Sequence, residues 1–243
     1  MKKYLLRLSY DGHPFHGWQI QKDASSIQEV MEASLSQIFK GETQLTVSGR
    51  TDAGVHALNQ YAHFYANTRM KPENIVAAIN SIIHKAIYII ECSIVPEDFH
   101  ARFSAKKRIY MYKIMKSYSP FERSYASYFP HMRYSLNCLQ NASDFLIGTY
   151  DFNVFAHDTS QLPSTMCTIE QATWSETESH LIFLITANRF MHNMVRRIVG
   201  TLLHICHNRL ESNLIQTILK TQDYTLLGTT APPHGLYLYD VTY

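Results

Sequence analysis

The run Ser48-Gly49-Arg50-Thr51-Asp52-Ala53-Gly54-Val55-His56-Ala57 sets one carboxylate, Asp52, between two glycines, two residues after an arginine and four before a histidine. A loop of this kind can present a single acid to a substrate, as a nucleophile or as a base. Glycines at 49 and 54 permit positive φ or close backbone approach. They stand where an apolar segment with Leu45 and Val47 ends and an alternating one with Tyr61, Phe64 and Tyr65 begins, so the acid sits on a connection between two strands. Two other readings use the same residues. The glycine spacing is that of a phosphate-binding G-x-x-x-x-G-K-[ST] loop, but Val55 and His56 occupy the lysine and hydroxyl positions and a strand follows instead of a helix, which excludes it. A tight turn in which Asp52 only accepts backbone hydrogen bonds fits the spacing as well.

The elements around the loop follow from periodicity. Tyr4 to Tyr10 reads as a strand, and the aromatic and glycine run through Trp18 as a loop. Ser25-x-x-Gln28 reads as a capping box, followed by Ile27, Val30, Met31, Leu35, Ile38 and Phe39 at helical spacing with Gly41 as the stop. Strands over 43–48 and 59–67 flank the acid, Pro72 opens a second helix through Ile82, and 86–94 returns as a strand. Strand, helix, strand, strand, helix, strand is the order of a ferredoxin-like unit. A weaker copy follows, with a strand over 108–116, a helix over 136–147, strands over 166–174 and 181–187, a helix over 190–207, a short helix over 210–220 and a last strand over 235–241. The expected fold is therefore α+β, with two ferredoxin-like (βαββαβ) halves side by side. They would form a mixed, mostly antiparallel sheet with helices on one side and a central cleft. The halves are residues 1–103, carrying the acid loop, and 104–243, joined where Pro96 gives way to Lys106-Lys107-Arg108.

Within the second half, strand alternation puts Arg108, Tyr110 and Tyr112 on one face, where tyrosines also serve as cross-strand packing. In the 190–207 helix, Asn193, Arg196 and Gly200 recur at one-turn spacing opposite an apolar stripe, and the glycine would let another backbone come close. Arg196 and Arg197 are there either solvated or in contact with phosphate, and for Arg197 that reading is preferred.

The 243 residues include 22 Lys and Arg against 20 acids, with 46% apolar content. This is an ordinary globular balance with enough apolar surface for a packed core. Any nucleic-acid surface must be a local patch. The four cysteines, Cys92, Cys138, Cys167 and Cys206, form no C-x-x-C pair, and the expectation is buried thiols in a reducing compartment. His204 and His207 share a helical face, but without a second ligand pair they read as a helix end, and no metal site is expected. The start is broken by Arg7 and Asp11 and is no signal peptide. No segment approaches the ~20 apolar residues of a membrane span, so a cytoplasmic protein is expected.

Gly49-Arg50-Thr51-Asp52-Ala53-Gly54-Val55-His56-Ala57 resembles the signature of the tRNA pseudouridine synthase A family, and companion motifs follow in order. They are Tyr10-Asp11-Gly12 with Phe15-His16-Gly17-Trp18-Gln19-Ile20-Gln21, then Phe99-His100-Ala101-Arg102-Phe103-Ser104-Ala105 with Arg108-Ile109-Tyr110-Met111-Tyr112, then Met194-Val195-Arg196-Arg197-Ile198-Val199-Gly200, then Thr230-Ala231-Pro232-Pro233 with Gly235-Leu236-Tyr237-Leu238. The resemblance spans nearly the whole chain. It implies an isomerase that converts uridine to pseudouridine in the anticodon stem-loop of tRNA, positions 38 to 40, as a homodimer and without cofactor or metal. It implies Asp52 as nucleophile, Arg196 as its ionic partner, and Tyr110 as the residue that stacks on the uracil and assists at C5. Arg50 would fill the vacancy left by the extruded base or hold a phosphate. Thr51 and His56 would brace the loop. Phosphate contacts are expected among Arg102, Lys106, Lys107, Arg108 and Arg123, although a run such as 106–108 also reads as a solvated edge.

Two departures stand out. Cys167 replaces a common family arginine, which puts a peripheral RNA or structural contact in doubt, and Ile83-His84 replaces a common Leu-Pro. Two rival functions use the same residues. A catalytically silent tRNA-binding module would not need an acid beside a polyanion. A nucleoside hydrolase with an Asp nucleophile would need a water-activating pair, and none surrounds Asp52.

Overall fold

The computed structural model describes residues 1–243, which form two compact units. The first comprises Met1–Lys106 with Tyr237–Tyr243, the second Lys107–Leu236. Both are α+β. Across the chain the strands pair in a mixed, mostly antiparallel manner and five α-helices accompany them, as the element order requires.

In the first unit, β1 (Lys2–Tyr10) pairs antiparallel with β3 (His56–Ala66) and with β4 (Ile87–Ile94). The short β2 (Thr46–Val47) pairs with β3, and the chain's last strand, β9 (Leu236–Thr242), lies parallel to β3 with His56 opposite Tyr237. The strand order is β4-β1-β3-β9. Alternate residues of β1, namely Tyr4, Leu6, Leu8 and Tyr10, are buried together with Phe64 of β3. Helix α1 (Ile27–Phe39) covers that face through Ile27, Met31 and Leu35, and its Phe39 ring reaches within 5.6 Å of the Phe64 ring. Its N-cap is one residue later than expected. Ser26, in an extended conformation just before Ile27, accepts from Glu29 N at 3.3 Å. Helix α2 (Pro72–Ile82) is pinned to β4 by Asn80, whose amide both donates to and accepts from the Ile89 backbone at 2.9 and 2.8 Å.

In the second unit the order is β5-β8-β7-β6, all antiparallel. It runs through β5 (Lys107–Met115), β8 (His180–Ala187), β7 (Met166–Glu176) and the four-residue β6 (Gly148–Asp151), a strand with no periodicity long enough to be read from sequence. Helix α3 (Leu136–Asp144) ends a turn earlier than its apolar pattern suggests. Helix α4 (Met194–His207) starts four residues later than expected, because Asn193 takes a left-handed conformation, φ 61°, and the segment before it is a turn. Helix α5 (Leu214–Thr221) follows. The apolar stripe of α4 is buried as its spacing dictates. Gly200 performs the expected close approach, since a Cβ there would lie 1.8 Å from the Thr229 carbonyl oxygen.

One sequence expectation fails here. Cys138 of α3 and Cys206 of α4 are not separate thiols but a disulfide, with Cα atoms 5.9 Å apart. Their separation of 68 residues carries no pairing signal, and only the packing of α3 on α4 brings them together. Cys92 and Cys167 are free and buried, and burial pushes their thiols up to about 12 and about 11. Cys167 points into the core of β7, so that position offers no surface for RNA.

Candidate active site

The acid loop, between β2 and β3, is held by its own backbone and by the first loop of the chain. Val55 N donates to the Asp52 carbonyl at 3.1 Å, and Gly54, at φ 75°, closes the turn. Trp18 N donates to the Thr51 carbonyl at 3.0 Å. Gly17, φ 91°, lies so close that a Cβ there would sit 2.8 Å from the same oxygen, and at Gly12 a Cβ would sit 2.1 Å from the Val55 carbonyl. The Tyr10-Asp11-Gly12 and Phe15 to Gln21 motifs thus form the surface against which this loop is cast.

Below the loop lies a buried polar chain. Ser48 Oγ and the Gln60 Oε1 atom are 2.6 Å apart, Gln60 Nε2 donates to Gly49 O at 2.8 Å, and the Tyr10 hydroxyl meets Thr51 Oγ1 at 2.8 Å. Burial pushes the Tyr10 phenol up to about 12, against the lowering effect of its bonds with Thr51 and Gln60, so it stays protonated. His56 is buried, stacked on Tyr237 with ring centroids 4.7 Å apart. Its Nδ1 lies 3.0 Å from Gly12 N and 3.1 Å from Asp11 Oδ1. With Nδ1 bare the ring accepts from Gly12, whereas with a proton on Nδ1, in the other neutral tautomer or in the cation, it donates to Asp11; one nitrogen cannot do both. Thr51 and His56 brace the loop, as expected. Gln60 was not anticipated, because a lone glutamine in a strand gives no signal until its neighbours are known. Asp52 itself is half-buried and Arg50 is exposed with no ion pair in the chain.

The second unit holds Tyr110 and Arg196. Tyr110 is half-buried on β5 opposite Ile185, and its ring meets Phe190 edge-on at 5.1 Å. Arg196 is fixed at its base. Its Nε donates to Ala231 O at 2.7 Å and an Nη to Asn193 Oδ1 at 2.8 Å, while Ala231 N donates back to the Arg196 carbonyl. The left-handed Asn193 and the close crossing at Gly200 are what make that clamp possible. Tyr112, buried and bonded to Ser127 and Pro232, lies in the field of Arg196; burial raises its phenol above the usual range, which the Ser127 bond and that charge only partly offset. Arg197 departs from its expected role. Instead of facing solvent or phosphate, its guanidinium donates to the Ala156 and Val154 carbonyls and ties α4 to the 153–155 turn.

The remaining basic residues divide by environment. Arg102 is exposed, its guanidinium 5.6 Å from the Phe103 ring centroid, and Lys106 is exposed without an ion pair. Lys107 pairs with Glu170 at 2.5 Å. Arg108 donates to Asn188 O at 2.9 Å and Arg123 to Pro120 O at 2.7 Å. No group of three or more His, Cys, Asp or Glu side chains is arranged to hold a metal ion.

The arrangement offers one acid on a rigid turn and one clamped guanidinium with an aromatic face, each built by its own unit. Comparison with known proteins places the same residues in context. The family model described as tRNA pseudouridine synthase matches residues 8–104 and 142–243. The chain is 38% identical to tRNA pseudouridine synthase A of Thermoanaerobacter sp. (strain X514) over the full length of both. It is likewise 38% identical to that of Limosilactobacillus reuteri (strain DSM 20016), over 100% of this chain and 97% of the relative. Against the Bacillus subtilis (strain 168) protein of the same name the identity is 36%, over 97% of each.

Proposed function

This chain belongs to the tRNA pseudouridine synthase family, a family of isomerases, and from that premise we propose that it converts uridine to pseudouridine in the anticodon stem-loop of tRNA, at positions 38 to 40, as a homodimer in the cytoplasm. The reaction breaks the bond from ribose C1′ to uracil N1, turns the base, joins C1′ to C5 and moves the C5 proton. Nothing is oxidised and no group leaves, so side chains suffice and no cofactor is called for.

The first half, residues 1–103, supplies Asp52, which attacks C1′ or deprotonates the sugar. The second half, 104–243, supplies Arg196, whose charge favours the ionised acid, and Tyr110, which stacks on the uracil and assists at C5. The target must leave its stack, at a cost of a few kcal/mol. Arg50 fills the vacancy or holds a phosphate, and Arg102, Lys106 and Arg108 contact the backbone.

The observation that carries this reading is the rigidity of the acid loop. A loop that only had to touch RNA would not need two glycines pressed against its carbonyls and a buried polar chain beneath it. Preorganisation of that kind is what a reacting carboxylate requires. Asp52→Ala should abolish pseudouridine formation on an anticodon-arm transcript while tRNA affinity stays within about tenfold, ~1.4 kcal/mol. A wild-type protein that binds the transcript and leaves every uridine intact would make it the silent binding module instead.

A further inference from the structure

The connection between β5 and α3 has a composition that exposed loops rarely have. Tyr118, Phe121, Tyr125 and Tyr128 fall within it, and all four are exposed, Phe121 at 89% and Tyr118 at 59%. Aromatic side chains left in water over one short stretch mark an interaction surface.

The stretch is also held in place. Ser127 is fully buried; its N–H donates to Lys113 O and its carbonyl accepts from Met115 N, at 3.0 and 2.8 Å. Its hydroxyl meets that of Tyr112 at 2.7 Å. Glu122 is anchored on His180 at 2.5 Å. The rings of Tyr118 and Tyr128 stand 5.7 Å apart, so at least two of the exposed aromatics form one face.

Charge identifies the kind of partner. Of the acids beside this stretch, Glu122 pairs with His180 and Glu176 with Lys116 at 2.7 Å, and Glu178 is exposed. Arg123 and Arg133 are exposed, and neither guanidinium meets a carboxylate. Exposed aromatic rings beside arginines that meet no carboxylate suit a ligand with flat faces and a polyanionic backbone, which is an unpaired stretch of nucleic acid.

We propose that this face binds unpaired nucleotides of the tRNA substrate, with Tyr118 and Phe121 stacking on bases and Arg123 and Arg133 contacting phosphates. It rests on the function proposed above and adds Tyr118, Phe121 and Arg133 to a stretch from which the sequence reading took only Arg123.

Affinity for a labelled, unmodified tRNA transcript, turnover of the same transcript, and the oligomeric state of each variant together test it. Tyr118 and Phe121 are exposed enough that their replacement leaves folding intact. Phe121→Ala and Tyr118→Ala should each weaken binding about five- to tenfold and raise KM in parallel while kcat holds, and Phe121→Tyr should restore affinity. Arg123→Gln should reduce the slope of log Kd against log salt by about 0.7 to 0.9. Tyr88→Ala, at an exposed aromatic on β4, should change neither. Unchanged affinity and salt slope in the Phe121 and Arg123 variants, with a wild type that binds, would overturn the proposal. So would a shift in oligomeric state in those variants, which would assign the face to a second copy. A wild type that binds tRNA without forming pseudouridine removes the catalytic reading alone, and the binding measurements still decide this one; a wild type that binds no tRNA removes both.

Discussion

His63 shows how much a single side chain can set. It sits buried on β3 opposite Leu5, with its Nδ1 accepting from Ala101 N at 3.1 Å, so the ring is neutral in the folded protein. Burial first, then the nearby His100 and the charge of Lys3, lower its pKa from 6.5 to about 4. Lys3 is itself buried, donating to the Glu97 and Phe99 carbonyls beneath the Tyr65 ring. Because the folded-state pKa lies below the unfolded one, the unfolded chain takes up the proton first as pH falls. Stability from this group is complete above about pH 6.5 and declines toward pH 4, by roughly 3 kcal/mol at most. Urea midpoints measured from pH 7 to pH 4 should fall accordingly, and His63→Asn, which keeps an acceptor for Ala101 and does not titrate, should flatten that part of the profile. A histidine in a strand reads as polar in sequence; its neutrality here follows only from what surrounds it.

At the level of elements, α4 carries most of the second unit's organisation. Its apolar stripe, Gly200 and Arg196 were all legible from helical spacing, and the crossing at Thr229 and the clamp onto Ala231 are their consequences. Its start was not legible, because left-handed Asn193 interrupts a pattern that periodicity alone would continue. The link from Cys206 to Cys138 adds a covalent tie to α3 across 68 residues. Closing a loop of that length in the unfolded chain is worth up to about 4 kcal/mol in the chain-entropy account. Reduction, or Cys138→Ser, should lower the thermal midpoint of the oxidised protein by several degrees, while Cys92→Ser leaves the effect of reductant unchanged. Identical midpoints with and without reductant would mean the bridge contributes nothing.

For the molecule as a whole, charge is the relevant quantity. With 22 basic residues against 20 acids, the chain has no global field to draw in a polyanion. RNA binding must then come from a few placed cations. Arg50, Arg102, Lys106 and Arg108 would give a slope of log affinity against log salt of about −3 to −4, and arginines of the 116–135 connection would steepen it. A slope near zero would remove electrostatic contact with the backbone altogether. No helix is long and apolar enough to cross a membrane.

What the sequence determined alone was local or one-dimensional: the order of strands and helices, the glycine-flanked acid at 52, the helical face bearing Arg196, and the family these motifs belong to. Each depends on spacing along the chain, which sequence states directly. Tertiary structure decided the rest. It set β9 parallel to β3, joined Cys138 to Cys206, turned Arg197 inward onto two carbonyls, and put Gln60 and Tyr10 beneath the acid loop. These are pairings between residues 11 to 181 positions apart, and no local pattern encodes them. They are fixed by the burial of apolar faces and by the need to satisfy every polar group buried along with them.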